Sequence, residues 1–246
     1  MTSRLLSDVE KVNHWKPIVG IFDERNPLLS IKQACRYLPE YVNYNLQAQV
    51  ALAIHKMREV EMKQKIAAVP GMTESGAAAI WLYTLDGPLY RDLNGRLHKQ
   101  DWGYLENHYF PFMRILLTAM KCLQSGEYCQ LIHGVNDDII SGLKDKSMYE
   151  SGKSFVWWSF SSTTPDDHVS GFFRGVRGVQ TVFQIKSKQG ADVSEFSSYV
   201  SEKKKSEKKE ILLGPGTVLK SLGVVRTADG IVIQCEDDES ATQLIF

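Results

Sequence analysis

The stretch Phe155-Val156-Trp157-Trp158-Ser159-Phe160-Ser161-Ser162-Thr163-Thr164-Pro165 decides how this chain is read. It opens as an aromatic and β-branched strand and closes in four consecutive hydroxyls followed by proline. Phe155 and Trp157, with Ser159 after them, alternate against Val156, Trp158 and Phe160, so the spacing predicts a strand over 155–160 covered on both faces. A buried hydroxyl costs free energy unless it finds a partner. The run Ser161 to Thr164 is therefore expected to face a cleft or to hold another polar group in place.

Working outward, a candidate for that polar group stands downstream in Glu210-Ile211-Leu212-Leu213-Gly214-Pro215-Gly216-Thr217, one acid before an apolar strand stopped by a turn. Upstream, Cys129-Gln130-Leu131-Ile132-His133-Gly134-Val135-Asn136 reads as a strand carrying a His-Gly pair. The order strand-His-Gly, strand-Ser-Ser-Thr-Thr, Glu-strand resembles the toxin-like mono-ADP-ribosyltransferases. That family has an arginine on a first strand, a Ser-Thr-Ser strand and a Glu-x-Glu strand. "WWSFSSTT" and "EILLGPGT" carry the resemblance together, and it runs from about Thr73 to the C-terminus. Within it, "LYTLDGPLYRDLNGRL" resembles the helical portion that precedes the catalytic strands in eukaryotic arginine-type members.

The rest of the chain reads as helices first and strands after. Ser30 is placed to cap a helix through Leu38, stopped at Pro39, and a longer helix is predicted from Tyr41 to Lys65 on the spacing of Leu46, Val50, Ala53, Ile54 and Met57. Thr73 is a good N-cap for a helix from Glu74 to Leu85, and Pro88 suits the first turn of another reaching His98. Asp101 is a cap for a third, which Pro111 interrupts or restarts before Leu123. From Tyr128 the texture changes to short apolar strands, at 128–133, 155–160, 179–186, 211–213, 218–225 and 231–236. Asp229-Gly230 is a two-residue hairpin signal between the last two. Residues 1 to about 26 read as a loose lead-in.

The fold class is therefore α+β: a helical N-terminal region over 1–125, then a β-rich core over 126–246. The resemblance implies that this core is two packed sheets with an NAD cleft, integrated into one catalytic domain from about residue 70. It also implies NAD-dependent transfer of ADP-ribose to a protein side chain with release of nicotinamide, NAD being a substrate and no metal being needed. Glu210 matches the family glutamate that stabilises the developing sugar cation, and Ser162 matches the serine that orients it. Thr163 and Thr164 match the rest of Ser-Thr-Ser. His133 and Gly134 stand at the first motif, on the NAD side. Phe173 falls near the nicotinamide-stacking aromatic and Arg177 near a phosphate-binding arginine. Read on their own, Phe172-Phe173-Arg174 and Arg177 are equally an apolar plug with solvated arginines.

Two positions depart from the family pattern. His133 replaces an arginine whose forked contact an imidazole cannot copy. Lys208 stands two residues before Glu210, where arginine-specific relatives carry the acid that positions the acceptor guanidinium. Glu202 or Glu207, in the charged run "SEKKKSEKKE", is an alternative source of that acid. Two further readings stay open on these residues: an NAD glycohydrolase without a protein acceptor, and an inactive relative that binds a partner.

Composition sets the outer limits. At 246 residues, 43% hydrophobic and 24% charged, the chain has ample material for a globular core. A formal net charge of +0 argues against a general nucleic-acid binder. No apolar run is long enough to span a membrane. Residues 1–16 lack the apolar segment of a secretory signal, which favours the cytoplasm. Cys35, Cys122, Cys129 and Cys235 are scattered without metal-like pairing and read as reduced structural thiols.

Overall fold

Local capping chemistry starts the helices. A computed structural model describes residues 20–23, 28–43, 46–135, 138–140, 146–165, 181–198, 209–227 and 230–241. Ser30 caps α1 (Ile31–Cys35) through a reciprocal capping box, its hydroxyl accepting from Gln33 N and Gln33 Oε1 accepting from Ser30 N. The segment expected as one helix over 41–65 is three: α2 (Glu40–Asn43), α3 (Leu46–Met57) and α4 (Val60–Ala68). Glu59 is extended, at ψ 147°, and breaks the last two apart. α5 (Glu74–Thr84) begins where Thr73 Oγ1 accepts from Gly76 N, and every residue from Gly76 to Tyr83 is buried. It is thus a central helix. A Cβ on Gly76 would lie 2.9 Å from Ala119 Cβ, so glycine permits the close approach to the helix carrying Ala119.

Pro88 opens α6 (Pro88–His98), and α7 (Trp102–His108) follows. Asp101 does not cap α7 with its side chain; its carboxylate pairs with Arg96 instead. Pro111 lies in the first turn of α8 (Phe110–Leu123), where its missing N–H costs nothing.

Contacts divide the chain into two compact units. The helical unit comprises, among the described residues, α1 to α8 and the segment Ala191–Ser198. The β-rich unit comprises Ser125–Gly190 and the residues from Lys209 onward.

In the β-rich unit, β1 (Cys129–Val135), β2 (Ser154–Trp157), β3 (Ser161–Thr163) and β4 (Thr181–Ser187) are followed, after β5 (Ala191–Asp192) of the helical unit, by β6 (Ile211–Leu213), β7 (Thr217–Thr227) and β8 (Gly230–Asp237). Five strands form one sheet in the order β1-β4-β8-β7-β2. Only β4 and β8 pair in parallel. β3 and β6 pair antiparallel in a second, smaller sheet. Ile211 and Leu213 of that sheet share one apolar core with Leu131, Phe155, Trp157, Phe183, Leu219 and Ile233 of the first. The fold is thus the expected α+β, with two packed sheets after the helices.

The strand expected over 155–160 ends at Trp157. Trp158, Ser159 and Phe160 carry the chain from the large sheet to the small one, and all three are buried. A crossover inside the core shows the same apolar texture as a strand covered on both faces. That is why alternation did not reveal the break. For the hairpin read at Asp229-Gly230, β7 and β8 do pair antiparallel, but Gly230 already belongs to β8, opposite Thr227, and Asp229 lies outside the described residues.

Candidate active site

The second sheet brings the Ser-Ser-Thr run against Glu210. Register places Thr163 opposite Ile211 and Ser162 opposite Leu212, so Glu210 enters β6 beside the end of β3. Ser162 Oγ donates to Glu210 Oε1 at 2.7 Å, and Thr163 Oγ1 donates to the Ile211 carbonyl at 2.7 Å. Glu210 is 8% exposed while Ser162 is solvent-exposed. The carboxylate is therefore held from its accessible side by a hydroxyl, and the peptide next to it is clamped by a second. The backbone is fixed from a third direction as well. A Cβ on Gly190 would lie 2.5 Å from Ile211 Cγ2, so no side chain fits where the chain passes the residue after Glu210.

Thr164 joins this small sheet to β1. Ile132 N donates to the Thr164 carbonyl at 2.8 Å and Thr164 N to the Ile132 carbonyl at 3.1 Å. That bridge sets His133, the next residue on β1, beside Ser162. His133 Nδ1 lies 2.9 Å from the Ser162 carbonyl. A carbonyl oxygen only accepts, so Nδ1 carries the proton. Burial holds the imidazole below its ordinary pKa, against the opposing effect of that hydrogen bond. The ring is then neutral near pH 7 and presents Nε2 as an acceptor. Gly134 follows on the strand, opposite Val182 of β4.

Sequence reading did not single out Trp157 as a polar partner. Its indole Nε1–H donates to Ser161 Oγ at 3.0 Å, and the Ser159 and Ser161 hydroxyls lie 2.9 Å apart. The same ring meets His133 edge-on at 5.5 Å and Phe183 at 5.0 Å. The signal was present, a tryptophan four residues before the first serine of the run, but a buried tryptophan looks like core until its N–H partner is known. Of the expected site residues, the structure brings Ser162, Thr163, His133 and Glu210 together. Phe173, Arg177 and Lys208 lie outside the described residues, as do Glu202 and Glu207.

The sequence profile described as ART, NAD:arginine ADP-ribosyltransferase, matches residues 33–242. No curated protein matches the chain in sequence. Among solved structures, it is similar to the ADP-ribosyltransferase HopU1 of Pseudomonas syringae pv. tomato, at 19% identity over 77% of this chain and 87% of that one, with a TM-score of 0.63. The type III effector XopAI of Xanthomonas axonopodis pv. citri gives 16% identity, 85% and 81% coverage, and a TM-score of 0.60. A variant of the eukaryotic mono-ADP-ribosyltransferase ART2.2 in complex with NAD gives 17%, 85% and 87%, and 0.56. At these identities the structural likenesses speak to the fold.

Proposed function

The chain belongs to the NAD:arginine ADP-ribosyltransferase family, and from that premise we propose that Glu210, oriented by Ser162, is the carboxylate that drives cleavage of NAD. The activity itself follows from the family: NAD-dependent mono-ADP-ribosyl transfer to a protein side chain, with nicotinamide released. NAD is the substrate. Among the described residues no group of His, Cys, Asp or Glu is arranged to hold a metal, and no helix is long and apolar enough to cross a membrane.

The observation that carries the residue assignment is the 2.7 Å bond from Ser162 Oγ to Glu210 Oε1 at the paired ends of β3 and β6. Breaking the nicotinamide–ribose bond leaves positive charge on the sugar, as in glycoside cleavage. A fixed carboxylate beside that sugar lowers the barrier because it is already aimed where the charge develops. The bond electrons leave with nicotinamide, and the acceptor side chain then attacks the anomeric carbon and gives up its proton. His133 contributes Nε2 as an acceptor, which suits a sugar hydroxyl rather than a phosphate. The grip on the pyrophosphate is assigned to Arg177, with Phe173 stacking on nicotinamide.

Lys208 bears on the acceptor. A cation two residues before Glu210 repels a guanidinium, so the chain should label agmatine poorly and Lys208→Glu should improve it. The experiment is to incubate the purified chain with adenylate-labelled NAD and a cell extract, measuring label on protein and nicotinamide released. Loss of both in Glu210→Gln supports the assignment. Full transfer in that variant, with loss in Glu202→Gln instead, would place the carboxylate upstream.

A further inference from the structure

Beneath the candidate site, two arms leave the same indole and converge on one residue. One arm is polar: Trp157 Nε1–H donates to Ser161 Oγ, and Ser161 precedes Ser162 in the chain. The other arm is packed: the edge-on contact of Trp157 with His133 fixes the imidazole, whose Nδ1–H donates to the Ser162 carbonyl. Ser162 is thus held through its preceding residue on one side and through its own carbonyl on the other. Its hydroxyl is left to donate to Glu210. Trp157 is buried and braced in turn by Phe183, whose ring also meets Tyr149.

The location explains why such a brace is required. Trp157 is the last residue of β2, and Ser161 is the first of β3. The three residues between them change sheets inside the core. They stand outside both ladders, so side-chain bonds across the corner can help set the angle at which β3 leaves it. The Trp157–Ser161 bond spans the corner directly, and the Ser159 hydroxyl, 2.9 Å from that of Ser161, closes it.

We infer that Trp157 is a positioning residue for the transfer reaction, setting the corner between the two sheets so that Ser162 meets Glu210. The inference rests on the assignment of Glu210 as the driving carboxylate. It extends that assignment to a buried residue of the neighbouring sheet. His133 acquires a second part on the same ground: its Nδ1 side belongs to the brace, whatever its Nε2 side contacts.

Trp157→Phe keeps a ring against His133 and Phe183 and removes only the N–H; Ser161→Ala removes the acceptor. A neutral hydrogen bond contributes modestly in net terms, so each variant should lower kcat for nicotinamide release by about two- to ten-fold. KM for NAD should stay within about two-fold, because ground-state binding is not what the brace supplies. Both changes cut the Trp157–Ser161 bond, and Ser161→Ala also takes the Ser161 hydroxyl away from Ser159, so the double variant should be no slower than Ser161→Ala alone. Circular dichroism melts of the three variants check that the fold persists. Independent, multiplying losses would overturn the inference, as would an unchanged kcat in Trp157→Phe or a loss confined to KM. Glu210→Gln is assayed alongside. A steep loss there with none in Trp157→Phe removes the brace and leaves the carboxylate, whereas full activity in Glu210→Gln removes both.

Discussion

Glu210 in the β-rich unit and Glu40 in the helical unit are both nearly buried, at 8% and 1% exposure, yet their partners differ in kind. Glu210 receives a hydroxyl hydrogen from a residue that itself reaches solvent. Glu40 shares a phenol with another acid: the Tyr109 hydroxyl lies 2.5 Å from Glu40 Oε1 and 2.6 Å from Asp92 Oδ2. The single phenol proton is shared between the two acids, of which Glu40 is the more buried. Burial raises its pKa, the Tyr109 bond opposes that rise, and its Oε2 is buried with no hydrogen-bond partner among the described residues. Arg96, whose charge also opposes the rise, bonds Asp101 through Nη1 and lies 3.7 Å from Asp92. The difference teaches what burial is used for. The glutamate proposed for catalysis takes its donor beside water, and the one that ties helices together sits among them with its pKa raised by burial.

The same substitution at the two sites separates these roles most sharply. Glu210→Gln keeps size and removes charge, so transfer should fall by about 100- to 1000-fold, as for other single transition-state contacts. Its melting temperature should change little, and a large drop would mean that Glu210 is structural. Glu40→Gln should leave transfer per folded molecule unaltered, and a comparable loss there would erase the distinction.

Next in size is Tyr109→Phe. The phenol oxygen is the hub of the helical cluster, and its removal leaves Glu40 and Asp92 without their shared partner. Stability should fall by about 1–3 kcal/mol, measured by urea unfolding. Smaller again is Ser162→Ala, which removes the hydroxyl donor to Glu210 Oε1 and should lower kcat by roughly two- to ten-fold. If KM for NAD rose instead, Ser162 would act mainly as a substrate contact.

The smallest effect is on pH dependence. Glu40 has a folded pKa above its unfolded one, so its contribution to stability is complete below the ordinary glutamate range. That contribution is lost as pH rises towards the folded value. Glu40→Gln should flatten that part of the melting profile. An identical slope in both proteins would show that Glu40 is ionised when folded. Asp237, also raised by burial, acts in the same direction and remains in both proteins. His133 works in the opposite sense. Its folded pKa is lowered, so its contribution is lost as pH falls through that value.

The elements that the sequence revealed are those whose cause is local. Ser30, Thr73 and Pro88 act within a turn of themselves, and each starts a helix where expected. That the hydroxyl run would meet the acid at 210 was legible because buried hydroxyls need a polar partner, while the choice of Ser162 within the run came from the family resemblance. The strand break after Trp157 was not, since a core crossover and a doubly covered strand have the same composition. Nor was the parallel pairing of β4 with β8, which depends on residues some fifty positions apart, as in Thr181 opposite Ile231. The brace at Trp157 was hidden for a related reason: its partner is set by the corner geometry and not by spacing.

The return of Ala191–Ser198 to the helical unit bears on how the chain is made. Ala191 bridges Gln124 after α8, Ser198 N donates to Thr84 Oγ1 at 2.8 Å, and Glu195 pairs with Lys65 at 2.9 Å. These contacts span 67 to 130 positions, so on the ribosome α1 to α8 emerge long before the segment that joins them. The helical unit cannot reach its final form until most of β1 to β4 has also been synthesised. Loop closure over such distances is slow compared with helix formation. The helical unit is therefore expected to mature only after the segment through Ser198 has emerged, alongside the β-rich unit rather than before it.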